Sequence, residues 1–345
     1  MTATLANATS RPLLPILVAL SGAHLLNDLI QSMIPAMYPL IKEAYNLDFA
    51  HIGLITLAFQ VTSSLLQPVL GHVTDNRPWP YAMVAGMGAT LIGLFGLSFA
   101  PNYAMVLLSA AMIGLGSAVF HPEATRMARH AAAGQQGLAQ GVFQIGGHVG
   151  YAAGPLLAAM IVVPRGQQSL AWMSVVALIA MVLMAWTGGR YAEMRREQAA
   201  AAAAAPPSKG TSTSAAGPML PTGHVLFAMA ILILILLSKN AYTAAFTSYY
   251  TFYLMHKFAV TTQTSQLLLF VFLGAVAAGV YFGGPLGDRF GRRYVIWFSI
   301  LGALPFTLLL PYVNLEWTVI LSVIIGLIIS SAMPAIIVYA QELVP

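Results

Sequence analysis

Several ionisable side chains sit inside long apolar stretches of this chain. His24 and Asp28 stand one helical turn apart in LLPILVALSGAHLLNDLIQSMIP, and Lys239 interrupts ILILILLSKNAYTAAF. His121, Glu123 and Arg126 follow one another closely in FHPEATRMAR. A charged group at mid-membrane costs at least about 2.5–3.5 kcal/mol on insertion scales, so each is by default a functional hypothesis. The chemistry that such residues suggest is proton carriage and the capture of a charged solute. The other default is a buried pair that fixes helix packing.

On the first apolar run, Ser21, His24, Asp28 and Gln31 recur at helical spacing and share one face. Asp28 falls near the middle of the run, and a carboxyl in that setting is suited to load and release a proton. Two readings stay open for it: the proton-coupling acid with His24 beside it, or a structural hydrogen bond. Lys239 is followed on its face by Tyr242, Phe246, Tyr249 and Tyr250, so it either meets an anionic substrate between aromatic walls or pairs with Asp28. Glu123 and Arg126 are three apart and can pair along one helix. There they either latch to the nearby Asp75 and Arg77 or take a direct part, Glu123 and His121 with the proton and Arg126 with substrate. Two uncharged polar stripes also keep helical spacing: Thr56, Gln60, Ser63 and Gln67, and Gln140, Gln144, His148 and Tyr151. Interhelical hydrogen bonds suit most of them, with Gln60, Gln144 and His148 as candidates to line a cavity.

The elements that hold these residues are membrane helices. Of 345 residues 59% are hydrophobic and only 7% charged, against about 25% charged in a soluble domain. Runs near the 20 or so apolar residues that a span needs fall at roughly 13–38, 50–71, 80–99, 102–124, 134–162, 167–189, 223–255, 262–285, 293–311 and 314–340. Ten spans follow, in an all-α polytopic bundle. The first run carries polar residues and no small-residue cleavage site, so it reads as a retained span and not a signal peptide. Residues 190–221 combine arginines, an alanine tract and a Pro/Ser/Thr/Gly stretch, which reads as a linker between a six-span half (1–189) and a second part (222–345). With the N-terminus inside, Arg11, Arg77, Arg126, Arg129, Arg190, Arg195, Arg196, Lys209, Arg289, Arg292 and Arg293 fall on the cytoplasmic side, and Lys42, Arg165 and Lys257 outside. That bias predicts an inner-membrane protein with a cytoplasmic N-terminus. The net charge of +5 serves topology, not nucleic acid.

An internal repeat links the two parts. Gly71 to Asp75 has the spacing of Gly284 to Asp288, and Pro122 falls opposite Pro334. The later stretch, GGPLGDRFGRR, resembles the loop motif of the major facilitator superfamily; its earlier counterpart GHVTDNRPWP keeps Asp75 and Arg77 but loses the Gly-Arg-Arg end. GYAAGPLLAA from Gly150 resembles the Gly-Pro motif of proton-driven exporters in that superfamily. HLLNDLIQS, SSLLQPVLGHVTD, FHPEATRMAR and SYYTFYLMHKF together resemble its fosmidomycin-resistance branch of drug/proton antiporters. An arginine often found higher in the fourth span of such exporters is replaced here by Met112.

The resemblance implies two parallel six-helix repeats, the second represented by four helices, since the superfamily has twelve spans and ten are counted. A fragment or a truncated gene product are both expectations here. It further implies alternating access around a midplane site and proton-driven export of small anionic, drug-like compounds, with protons, substrate and lipid as partners to a monomer. Uptake by symport, a receptor without flux and an inert fragment are the rivals. In the loop motif Gly71, Gly284, Gly287 and Gly291 permit close contact or tight turns, and Asp75, Arg77, Asp288, Arg289, Arg292 and Arg293 form a conformational latch. Gly150, Gly154 and Pro155 read as helix packing where the halves meet. Cysteine is absent and the eight histidines are scattered, so no spacing suggests a metal site. No GK[ST] phosphate loop appears, no cofactor is expected, and no catalytic constellation marks an enzyme.

Overall fold

The computed structural model describes residues 13–76, 79–132, 135–204 and 222–343, and these are helix and short connections with no strand. Nine helices among them are long and apolar enough to cross a membrane. We number the spans in chain order: one, Leu14–Ala36; two, Phe49–Thr74; four, Tyr103–Ala131; five, Leu138–Arg165; six, Gln167–Glu197; seven, Gly223–Phe258; eight, Thr262–Gly287; nine, Arg292–Tyr312; ten, Leu315–Ala340. The run expected as the third span forms the helix Ala82–Ser98, of 17 residues. At about 1.5 Å per residue it rises roughly 26 Å, somewhat short of the hydrocarbon core of about 30 Å. Trp79 and Tyr81, exposed beside its start, are of the type that settles at the membrane interface. Among the described residues, nine of the ten expected spans are thus helices of spanning length and the third is a shorter apolar helix.

The sixth span continues as helix through Ala204, so residues 190–204 of the expected linker are helical. Large apolar side chains such as Leu65, Ile92, Val182, Leu237 and Trp297 are more than a third exposed, as the lipid-facing side of a bundle requires. Two compact units divide the chain at Glu197 and Gln198.

In the first unit, span one lies along span five, and span three along span four. The sequence of span five makes its contact possible. Gly146, Gly150 and Gly154 are four apart, and a Cβ at each would collide with the Ser21 carbonyl, the Leu25 carbonyl and the Ser32 hydroxyl of span one. This small-xxx-small face is occupied inside one unit, whereas the sequence placed Gly150 and Gly154 where the halves meet. Pro155 lacks the N–H that would continue the ladder, and a π-helical turn, Ala158–Val162, follows it.

In the second unit the close pair is spans eight and ten, which the repeat places opposite spans two and four. Here Gly279 and Gly283 face the Leu327 and Ser331 carbonyls. Gly284, expected to permit close contact, has open space where its Cβ would stand, because it is turned one residue away from that face. Gly150→Leu is therefore expected to lower the unfolding temperature in detergent by forcing spans one and five apart, at a cost of at least about 1–3 kcal/mol. Gly284→Ala is expected to be neutral or slightly stabilising. Equal thermal shifts in the two variants would contradict the assigned helix faces.

Candidate functional site

Asp28 is the centre of a polar cluster inside the first unit. Span one presents His24 one turn earlier, with Nε2 3.2 Å from Asp28 Oδ2. Span four contributes His121, whose Nε2 lies 3.7 Å from Asp28 Oδ1. The amides of Asn27 and Gln31 donate to the same Oδ1 at 3.0 and 3.2 Å. Ser117 Oγ in turn donates to Gln31 Oε1 at 3.1 Å. The His24 ring stacks on Phe143 at 4.2 Å and meets Phe120 and His121 at 5.6 and 5.2 Å. Gly147 lets span five pass this close, since its Cβ would strike the His24 ring and crowd the Asp28 carboxylate.

The hydrogen bonds constrain where protons sit. His24 Nδ1 is 2.9 Å from the Phe143 carbonyl, and His121 Nδ1 is 3.0 Å from the Ser117 carbonyl. A carbonyl only accepts, so both Nδ1 atoms carry a hydrogen. Both Nε2 atoms then face a carboxylate that also only accepts when ionised. A 3.2 Å contact between His24 and Asp28 therefore holds one proton, carried either by the imidazole or by the carboxyl. The side chains of His24 and Asp28 are 4% and 16% exposed, while His121 is 29% exposed. His121 also lines a cavity of about 630 Å³ together with Gln67, Thr125, Arg126, Arg129 and His130. It is thus the member of the cluster nearest to open space.

Glu123 takes no part in this cluster, although the sequence grouped it with His121. Two residues apart on a helix means about 200° of rotation, and Glu123 points the other way. It is buried and pairs with Arg126 Nη2 at 2.7 Å. Arg126 continues to the Thr74 carbonyl at 3.0 Å and the Thr74 hydroxyl at 2.9 Å. The pair therefore ties span four to the end of span two, one residue from Asp75. Of the expected latch partners, Arg77 and the Asp75 side chain lie outside the described residues.

In the second unit Lys239 is buried on span seven and donates to Ser299 Oγ on span nine at 2.9 Å. The two line a cavity of about 360 Å³ with Ser238, Tyr242 and Thr307, Tyr242 OH lying 2.9 Å from Thr307 Oγ1. Tyr242, Phe246 and Tyr250 form a stack with ring centroids 6.0 and 4.7 Å apart, closed by Phe272 at 4.3 Å from Phe246. Tyr249 is absent from this stack and from the cavity lining. The i, i+4 spacing of 242, 246 and 250 carries the face past it.

These helical spans, with a close pair built on small residues in each unit, have a counterpart among known proteins. The sequence matches the Major Facilitator Superfamily over residues 20–345. The chain belongs to the major facilitator superfamily. It is 51% identical to the fosmidomycin resistance protein of Escherichia coli (strain K12), over 96% of this chain and 79% of that protein. An uncharacterised transporter of the superfamily from Bacillus subtilis (strain 168), YfnC, is 39% identical over 96% of this chain and 79% of that protein. Among solved structures, an inward-facing bacterial homologue of the human lysosomal transporter Spinster aligns with a TM-score of 0.71 at 17% identity, over 93% of this chain and 74% of the other. A D-xylose–proton symporter aligns at 0.68 and 13% identity, over 92% and 79%. The protein is thus a multi-pass membrane transporter of small molecules.

The superfamily's loop motif joins spans eight and nine. Gly291 is its pivot: with φ +91° it holds a backbone that favours glycine, and its N–H returns to the Gly287 carbonyl at 3.0 Å. Arg289 lies over the Phe290 ring at 5.4 Å, and Arg292 and Arg293 open the next helix. The Asp288 side chain lies outside the described residues. A Cβ added at Gly71 would stand in ordinary contact with Pro122 of span four, so close approach does not require glycine there. Of the uncharged candidates, His148 Nδ1 turns back to its own helix, 2.8 Å from the Gln144 carbonyl, and Gln60 and Gln144 are half-buried. Spacing pointed to none of Ser117, Thr74 or Ser299 as partners. Ser117 stands one turn before His121, which was the available signal.

Breaking the Glu123–Arg126 pair from one side leaves a buried carboxylate unpaired, which costs about 3–5 kcal/mol. Arg126→Met is expected to destabilise the detergent-solubilised protein by about that much, and adding Glu123→Gln is expected to restore most of it. A double variant no more stable than Arg126→Met alone would remove the pair as a unit.

Proposed function

We propose that this transporter exports small anionic, drug-like compounds of the fosmidomycin kind in exchange for protons. The observation that carries the coupling is the Asp28 carboxyl within a membrane span, bracketed by two imidazoles whose Nε2 atoms face it. The contact between His24 and Asp28 holds one proton, and His121 offers a second acceptor on the side that borders the 630 Å³ cavity. A proton entering from that cavity reaches His121 first, and passes to Asp28 when the 3.7 Å gap closes to hydrogen-bonding distance. The 51% identity to a fosmidomycin resistance protein supports the substrate class.

The anion's partner in this reading is Lys239. One of its three N–H donors goes to Ser299, and the cavity around it adds the Tyr242 and Thr307 hydroxyls. A phosphonate or carboxylate there gains charge-assisted hydrogen bonds, each worth about 1.5–3 kcal/mol. Export follows when protonation of the Asp28 cluster and occupation by the anion exclude each other, as the two repeats rock about a midplane site. Residues Arg126, Glu123 and Thr74 act as a brace between spans two and four and not as substrate ligands. The cationic segments support an inner-membrane location with the N-terminus in the cytoplasm.

Inverted membrane vesicles carrying this chain, acidified by respiration, test the reading. Adding fosmidomycin is expected to release protons from the lumen. Asp28→Asn is expected to abolish that release, and Lys239→Met to raise the fosmidomycin concentration needed roughly tenfold or more, since 1.4 kcal/mol is a factor of ten. Full proton release by Asp28→Asn would rule out the coupling residue, and an unchanged dose response in Lys239→Met would rule out the anion site.

A further inference from the structure

The Asp28 cluster has a second property that proton carriage does not require. One carboxylate oxygen of Asp28 and one ring nitrogen each of His24 and His121 lie within 4.8 Å of one another. No sequence spacing announces this set, because His24 and Asp28 come from span one and His121 from span four. A divalent ion held tetrahedrally at about 2.0–2.2 Å from nitrogen and oxygen ligands needs donor atoms about 3.3–3.5 Å apart. His24 Nε2 is 3.2 Å from Asp28 Oδ2 and His121 Nε2 is 3.7 Å from Asp28 Oδ1, both near that value.

The surroundings of the donors matter more than the distances. A metal-bound histidine commonly donates its other ring N–H to a backbone carbonyl, which fixes the tautomer and aims the lone pair. Both histidines here do so, His24 to Phe143 and His121 to Ser117. The Asp28 carboxylate is oriented by Asn27 and Gln31, and Gln31 by Ser117. Asn27 is buried, and its Oδ1 has no hydrogen-bond partner among the described residues. Ring stacking on Phe143 and the contact with Phe120 lock the His24 rotamer. His121, the most exposed of the three ligands, borders the 630 Å³ cavity, which gives an ion a way in and leaves room for a water as fourth ligand.

We propose that His24, Asp28 and His121 form a binding site for a divalent transition-metal ion of the Zn²⁺ class. Two imidazoles and one carboxylate suit Zn²⁺ or Co²⁺ over Mg²⁺ or Ca²⁺. The ion takes the place of the proton held between Asp28 and His24, so one ion enters as one proton leaves. Occupied by metal, the cluster no longer accepts protons. The site rests on the donor set alone and stands whether or not the transporter couples to protons.

The test uses the untagged full chain, purified in detergent, stripped with chelator and titrated with Co²⁺. The expected result is one Co²⁺ per chain, with the strong visible absorption of a four-coordinate ion, one proton released, and loss of the spectrum on adding equimolar Zn²⁺. His121→Gln and Asp28→Asn, each checked for an unchanged elution profile and melting curve, are expected to weaken Co²⁺ binding by roughly 100-fold or more, beyond the 10–100-fold typical of outer-shell changes. His51→Gln, at an exposed position, is expected to bind as the parent does. Absence of the spectrum, or its persistence in folded His121→Gln, overturns the site. In the vesicle assay, Zn²⁺ is then expected to block fosmidomycin-driven proton release. Co²⁺ binding without any such release would reject antiport and keep the metal site, and release without Co²⁺ binding would do the reverse.

Discussion

The contact of span five with span one governs the first unit. Gly146, Gly150 and Gly154 let the two backbones approach until a single added carbon would not fit. That approach brings the Phe143 carbonyl to His24 Nδ1 and the Phe143 ring under the imidazole. It therefore decides the tautomer of His24 and the direction of its Nε2, and with them what Asp28 faces. A carboxylate at this depth is tolerated only while such donors stay in place. The packing motif and the polar cluster are accordingly one construction, since loosening the first strips the second of its partners.

Parts of this arrangement are legible in the sequence and parts are not, for reasons that differ by residue. His24, Asp28 and Gln31 lie on one face of one helix, and helical periodicity alone places them together. Asn27 sits next to Asp28 in the chain yet points at it, which periodicity does not anticipate. His121 joins from another helix, so no pattern along the chain brings it to Asp28. The separation of His121 from Glu123 was available: two residues of helix turn the side chains to opposite sides, and sequence proximity had hidden this. The same register argument distinguishes Gly283 from Gly284 and Tyr250 from Tyr249. At each of these pairs the motif or the residue type drew attention one position away from the face that packs.

The two units use the same scaffold differently. Each has a glycine-lined close pair at a different place in the repeat, spans one and five in the first and spans eight and ten in the second, while Pro122 and Pro334 fall at matching places on spans four and ten. The first unit fills the space beside its pair with titratable groups, and the second with Lys239, hydroxyls and a stack of aromatic rings. Lysine and carboxylate each have neutral or exchangeable partners within their own unit. A direct Asp28–Lys239 pair, one of the readings open from the sequence, is not needed to explain why either residue is tolerated.

The choice of partners for Asp28 also bears on how a proton and a divalent ion would compete. Had an arginine faced the carboxylate, as Arg126 faces Glu123, the charge would be neutralised permanently, since guanidinium does not deprotonate in proteins. Such a pair ties two helices together and holds no exchangeable proton. Imidazole is the one side chain that neutralises a carboxylate while remaining able to give up or take a proton near neutral pH, and, stripped of that proton, it offers a lone pair to a metal. The Asp28 cluster and the Glu123–Arg126 pair stand a few residues apart on span four and are both buried ion pairs by distance. They differ in exchangeable protons, since imidazole can pass its proton on and guanidinium cannot.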